Sequence, residues 1–214
     1  MRKFLLLVLV PLFATGCVMG NKYTFDYKPA SMPNLGSGAT VVLMQPADLR
    51  PYVVKGEEPK TFVGEMRNGY GMPFNVTTAD QRPFAEVIGD IAARDLTAAG
   101  FNVVRGGAGL PDQIPAALTA QNAKRGLYVA INELNANTFT NIDMEWDLDA
   151  TVYDQSGKVV QTKKVQGKES LAGSMMNPAK ASKKKVPEFI YQKVHELIAG
   201  VTSALAGNCA MQSH

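Results

Sequence analysis

Residues 142–152 read Ile-Asp-Met-Glu-Trp-Asp-Leu-Asp-Ala-Thr-Val, and their alternation decides the fold. Met144, Trp146, Leu148, Ala150 and Val152 fall on one side of an extended chain, while Asp143, Glu145, Asp147, Asp149 and Thr151 fall on the other. Successive side chains of a strand point to opposite faces, so a strict period of two describes a half-buried antiparallel strand. Asp154-Gln155-Ser156-Gly157 supplies a turn, and residues 158–169 return as the partner strand. Trp146 is the expected anchor of the buried face.

Four acids along one edge of a strand invite a calcium-site reading, but their spacing opposes it. Residues two apart in a strand lie about 7 Å from one another, whereas calcium draws its oxygens to about 2.4 Å. The returning strand carries Lys158, Lys163, Lys164 and Lys168. Cross-strand charge pairing accounts for the row, and a charged face also discourages edge-to-edge association. Neither a metal nor a cofactor is expected.

The neighbouring segments supply the other layers. Thr40-Val41-Val42-Leu43-Met44 is a continuous apolar run halted by Pro46, the pattern of a buried central strand. Asp80 is placed to cap a helix, with Pro83 in its first turn. Phe84, Val87, Ile88, Ile91, Leu96 and Ala99 keep helical spacing, and Gly100 ends the run. Residues 101–104 form the next strand, 115–124 a short helix, and Leu127, Val129 and Ile131 another strand. Residues 171–185 read as a loop ending in the basic cluster Lys183-Lys184-Lys185. Pro187 then starts a last helix whose stripe is Phe189, Ile190, Val194, Leu197, Ile198, Val201 and Leu205. The class is α+β: a mixed, largely antiparallel sheet of about five strands with two main helices packed on one face.

The amino terminus sets compartment. Arg2 and Lys3 precede the apolar run FLLLVLVPLF at 4–13. A spanning helix needs about 20 apolar residues, so this run is a secretory signal peptide rather than a membrane span. Ala14-Thr15-Gly16-Cys17 matches a bacterial lipobox, which makes Cys17 the lipidation site and residues 1–16 the leader. Val18 follows the cysteine, and no Asp stands there to retain the protein in the inner membrane. The expected location is therefore the periplasmic face of the outer membrane. Residues 17–38 are expected to be a lipidated flexible tether, 39–207 a single domain and 208–214 a tail. Within the tether Tyr23, Phe25 and Tyr27 alternate, either as an edge strand or as rings laid on the surface.

Removing 16 of 214 residues leaves 198, enough for one domain. The formal charge of +3 falls to +1 without Arg2 and Lys3, so no nucleic-acid partner is expected. Acylation of Cys17 leaves Cys209 as the one remaining thiol.

Residues 48–78, rich in Pro and Gly, form a long connection with a short strand at 61–65. Long connections often carry function. Asp48, Arg50, Tyr52, Arg67 and Tyr70 are its candidate partner-binding residues. The competing account has Asp48 and the two arginines pairing to pin the loop. No catalytic residues emerge. His195 lacks a second ligand at helical spacing, no Gly-x-Ser-x-Gly elbow is present, and Gly106-Gly107-Ala108-Gly109 lacks a following Gly-Lys-Ser/Thr.

With these elements placed, the chain resembles the YajG-type bacterial lipoproteins. The resemblance rests on the lipobox, on the strand 40–44 leading into Asp48-Leu49-Arg50, on the helix end Leu96-Thr97-Ala98-Ala99-Gly100-Phe101-Asn102-Val103, and on the hairpin Val152-Tyr153-Asp154 to Gly157-Lys158. Residues 52–77 are an insertion relative to that pattern. The resemblance implies a fold akin to the amino-terminal domain of TolB, also used by lipoproteins that activate penicillin-binding proteins, and it brings no catalytic residues. The expected function is a non-catalytic envelope module that is bound to the membrane through Cys17 and meets a protein or peptidoglycan partner. An accessory subunit of a transport or secretion complex, and an enzyme acting on wall or lipid, are the alternatives.

Overall fold

The computed structural model describes residues 21–26, 28–29, 31–107 and 111–207. In chain order these residues form β1 (Lys22–Tyr23), β2 (Thr40–Leu43), β3 (Ala47–Asp48), α1 (Pro51–Val54), β4 (Phe62–Arg67), β5 (Pro73–Thr78), α2 (Phe84–Ala98) and β6 (Asn102–Arg105). After them come α3 (Ile114–Ala120), β7 (Arg125–Thr138), β8 (Ile142–Asp154), β9 (Val159–Leu171), α4 (Pro178–Ala199) and α5 (Thr202–Leu205). The lipobox, Cys17, Tyr27, the glycine run beyond Gly107, and Cys209 with the tail lie outside the described residues.

β7 is the strand on which the sheet is assembled. Along one edge it receives β2, then β3, then β4, all parallel to it: Val42 lies opposite Gly126, Ala47 opposite Ala130 and Met66 opposite Thr138. Along the other edge it pairs antiparallel with β8 over its whole length, and β8 pairs in turn with β9. β6 extends the sheet beyond β2; β5 and then β1 extend it beyond β4.

The sheet is thus mixed, as expected, but it has nine strands rather than about five, and β1–β5, β2–β6 and three contacts of β7 are parallel. Local alternation reveals hairpins; it carries no sign of parallel pairings between segments some 80 residues apart.

α2 and α4 cover one face. Phe84, Ile88, Ile91 and Leu96 of α2 and Phe189, Ile190, Val194 and Leu197 of α4 meet the inward side chains of β7 and β8 in one core. Trp146 belongs to it, its ring edge-on to Phe189 at 4.9 Å between centroids. β7 keeps its apolar side chains on this face despite a change of parity. Leu127, Val129 and Ile131 face the helices, and so do Leu134 and Ala136, because the register shifts between Ile131 and Glu133. Asn132 is the extra residue of a β-bulge. On the other face α3 packs Ile114 and Leu118 against Val42 and Met44. β2 is therefore buried on both sides, as its continuous apolar run requires.

Several expectations are corrected. Residues 48–78 are not a long loop: they fold as α1 and the β4–β5 hairpin. α4 begins nine residues before Pro187, at Pro178, because the Asn177 side chain accepts a hydrogen bond from the Lys180 amide and Pro178 fits the first turn. Lys183, Lys184 and Lys185 are consequently helical. Asp80 does not cap α2; Pro83 occupies that position, and Asp80 binds Arg82 instead. Part of the segment expected as a tether is packed. Tyr23 pairs beside β5 and is 1% exposed, and Phe25 stacks between Phe84 and Tyr191. These rings are drawn in because they complete the core where β5 would otherwise end the sheet.

Candidate functional site

Arg50 stands at the corner where β3 passes into α1, with extended dihedrals (φ −56°, ψ 124°) imposed by the following Pro51. That corner aims its side chain inward, and the guanidinium has no exposed surface. Nε and Nη2 donate to the two carboxylate oxygens of Asp48 at 2.8 and 2.7 Å. Nη1 donates to the carbonyls of Phe62 at 2.9 Å and Leu134 at 3.1 Å. The rings of Tyr52, Phe62 and Phe84 surround it at 5.1 to 5.9 Å. Burial pulls the Arg50 pKa down, but the bidentate carboxylate outweighs burial and leaves it raised.

Tyr52 continues the cluster. It is half-buried, edge-on to Phe62 at 5.5 Å, and its hydroxyl donates to Glu133 Oε1. Burial and the Glu133 carboxylate raise its pKa well above the ordinary tyrosine range, against the pull of Arg50. Asp48, Arg50, Tyr52 and Glu133 thus form an interior polar node that ties β3 and α1 to β4 and β7. It holds backbone in place through the Phe62 and Leu134 carbonyls.

The other two candidates lie elsewhere. Arg67 is at the end of β4, where Nη1 donates to the Gly71 carbonyl and Nη2 sits 3.6 Å from Glu65. Tyr70 is at the hairpin tip and is 92% exposed. Of the five candidates Arg50 is buried, Asp48, Tyr52 and Arg67 are partly buried, and Tyr70 is exposed. Of the pinning account, Asp48 and Arg50 pair as it describes, while Arg67 pairs with neither.

Glu133 escaped the sequence reading, because nothing in its local pattern signals the Tyr52 hydroxyl. So did Asn132, whose amide joins the acidic row on the face of β7–β9 that no described helix covers beyond α3. There Lys164 Nζ meets Asp147 at 2.8 Å, Lys168 Nζ meets Glu145 at 2.7 Å, and the bulged Asn132 donates to Asp147 at 3.3 Å and Asp149 at 2.6 Å. The expected pairing of the acidic row is present in part, through Lys164 and Lys168 with Asp147, Asp149 and Glu145. Lys163 is not part of it: it stands opposite Ala150, on the helix side, against Gly200. His195 Nδ1 lies 3.3 Å from Asp95, which is buried, and joins α4 to α2. Among the described residues no three His, Cys, Asp or Glu side chains are grouped to hold a metal ion, and no helix is long and apolar enough to cross a membrane.

No family model and no curated protein matches the chain. Solved structures do. A DUF330 protein from Xanthomonas campestris, XCC0632, superposes with a TM-score of 0.59 at 10% identity, covering 90% of this chain and 100% of that one. The PelC dodecamer protein of Paraburkholderia phytofirmans gives 0.46 at 16% identity, covering 81% and 94%. Lipoprotein GNA1162 of Neisseria meningitidis gives 0.33 at 14%, covering 76% and 99%. The first likeness shows a shared fold. The resemblance to YajG-type lipoproteins remains an expectation drawn from sequence.

Proposed function

We propose that the protein is a non-catalytic envelope module, anchored through lipid on Cys17 at the periplasmic face of the outer membrane, that receives a protein or peptidoglycan partner on the open face of β7–β9. One observation carries the choice of surface. On that face Asp147 and Glu145 already have lysine partners, and Asn132 bridges Asp147 and Asp149. A ladder whose charges are largely compensated offers a partner a polar surface and supports a binding role over acid–base work. Asp48, Arg50 and Tyr52 spend polar atoms on bonds within the domain, which favours the open face over them as the contact.

Photo-crosslinkers placed at Thr151 and Lys168 in intact cells test the reading. The expected result is capture of one envelope protein or of peptidoglycan, lost when the ladder is altered by Asp147→Lys. Absence of any adduct from a folded, acylated protein would remove the open face from consideration. Mass spectrometry of the processed amino terminus tests the anchor separately.

A further inference from the structure

Three connections meet at one end of the sheet. Met66 lies opposite both Phe74 and Thr138, which brings the β4–β5 tip beside the β7–β8 turn. Ile142 lies opposite Leu171, and Gly173 packs on the Thr140 carbonyl, which brings the segment between β9 and α4 to the same place. This end gathers exposed large apolar side chains: Tyr70, Met72 and Phe74 from the hairpin, Phe139 from the turn, and Met175 and Met176 from the segment before α4. The two methionines are 87% and 98% exposed, although such side chains are usually withdrawn from water.

The described chain also begins toward this end. β1 runs parallel to β5, with Lys22 opposite Thr77, so its first residue lies on the side of Phe74 and the hairpin tip. Asn21 itself touches Met66: Nδ2 is 2.7 Å from the sulfur. Cys17 precedes Asn21 by four residues, and four residues reach at most about 14 Å. α4 starts here as well, and its first turns expose Lys180, Lys183 and Lys184. On the open-face side of the same end stand Asp143 and Glu145, so the rim is basic beside the helix and acidic opposite.

We infer that this end of the domain lies against a phospholipid surface, with the exposed rings and methionines entering the boundary between headgroups and acyl chains and the α4 lysines meeting anionic phosphates. Aromatic, thioether and lysine side chains together suit that layer, where an apolar body and a polar tip are both satisfied. Each lysine near an anionic surface adds to the attraction. The domain then tilts with α4 toward the membrane and the acidic open face turned away from it. This inference rests on the lipid anchor at Cys17 proposed above.

The test uses the purified full-length processed protein, its acylation confirmed by mass spectrometry, in phosphatidylethanolamine–phosphatidylglycerol vesicles carrying a lipid with a diazirine in its acyl chain. Labelling is expected in peptides containing Tyr70 to Phe74, Phe139, and Met175–Met176. It should be lost at the hairpin in the triple variant Tyr70→Ser, Met72→Ser, Phe74→Ser, whose thermal midpoint should hold because these side chains are exposed. Labelling elsewhere in an acylated protein, or recovery of a protein instead of lipid by a crosslinker at Met72 in cells, would overturn the inference and leave the anchor intact. A bare Cys17 would overturn both.

Discussion

The guanidinium of Arg50 holds both carboxylate oxygens of Asp48 in a two-pronged grip while having no surface exposed to water. Two residues apart in sequence, they form an ion pair inside the domain rather than on it. A buried pair is costly to break one partner at a time, because the remaining charge is stranded. Arg50→Met and Asp48→Asn are each expected to lower unfolding free energy by about 3–5 kcal/mol. The double variant Asp48→Leu, Arg50→Met should lose less than the sum of the two. Urea denaturation of the three variants checks this, and strict additivity would refute the buried-pair account.

Tyr52 predicts an alkaline effect. Burial and Glu133 raise its pKa in the folded protein from the ordinary 10.0. A group whose folded pKa is raised contributes stability that is fully present below the unfolded value and is lost as pH rises above it. Stability should therefore fall above pH 10. Tyr23, Tyr128, Tyr153 and Tyr191, the last pushed up to about 12, contribute in the same sense. The difference between the parent and Tyr52→Phe isolates Tyr52: the variant should show a shallower alkaline decline in denaturant midpoint. Parallel declines would mean that Tyr52 ionises as freely in the fold as in the unfolded chain.

These two predictions concern residues whose roles the sequence showed unevenly. The β8–β9 hairpin was legible because alternation is a local property: Trp146, Leu148 and Ala150 carry their orientation in their own spacing. The α2 stripe was legible for the same reason. Burial of Arg50 was not, since its carbonyl partners come from Phe62, 12 residues away, and Leu134, 84 away. The parallel contacts of β7 were hidden likewise, because β2, β3 and β4 find it only in the folded chain. Tyr23 sits in a strand of two residues, too short to show any period. The start of α4 was misplaced because Pro187 resembles a first-turn proline, while Asn177-Pro178 is the cap that the backbone uses.

Asn132 gives a prediction about register. As the extra residue of the bulge, it lets Ile131 and Leu134 face the same core although they are three residues apart. Its deletion would turn one half of β7 over, since a slip of one residue exchanges the faces of a strand. The deletion variant is expected to fail to fold, judged by loss of the Trp146 emission of the native state. Asn132→Ala keeps the count and loses only the amide bonds to Asp147 and Asp149, at about 0.5–1.5 kcal/mol each at most. Equal effects of the two changes would refute a register role.

The lysine ladder on β9 makes the last prediction, one of association rather than stability. Lys164 and Lys168 are 44% and 75% exposed, so solvent screens their pairs with Asp147 and Glu145. Each Lys→Ala change should lower stability only slightly, and less in high salt. β9 nevertheless pairs only with β8 among the described strands, which leaves its second edge open over thirteen residues. Charged side chains along such an edge discourage pairing with another copy of the chain. Lys164→Val with Lys168→Val, which keeps strand propensity but removes both charges, should therefore raise self-association of a normally stable protein, measured by sedimentation velocity across a concentration series. A monodisperse double variant would mean that the edge is protected by something other than its lysines, and the packing of α4 beside β9 would be the first place to look.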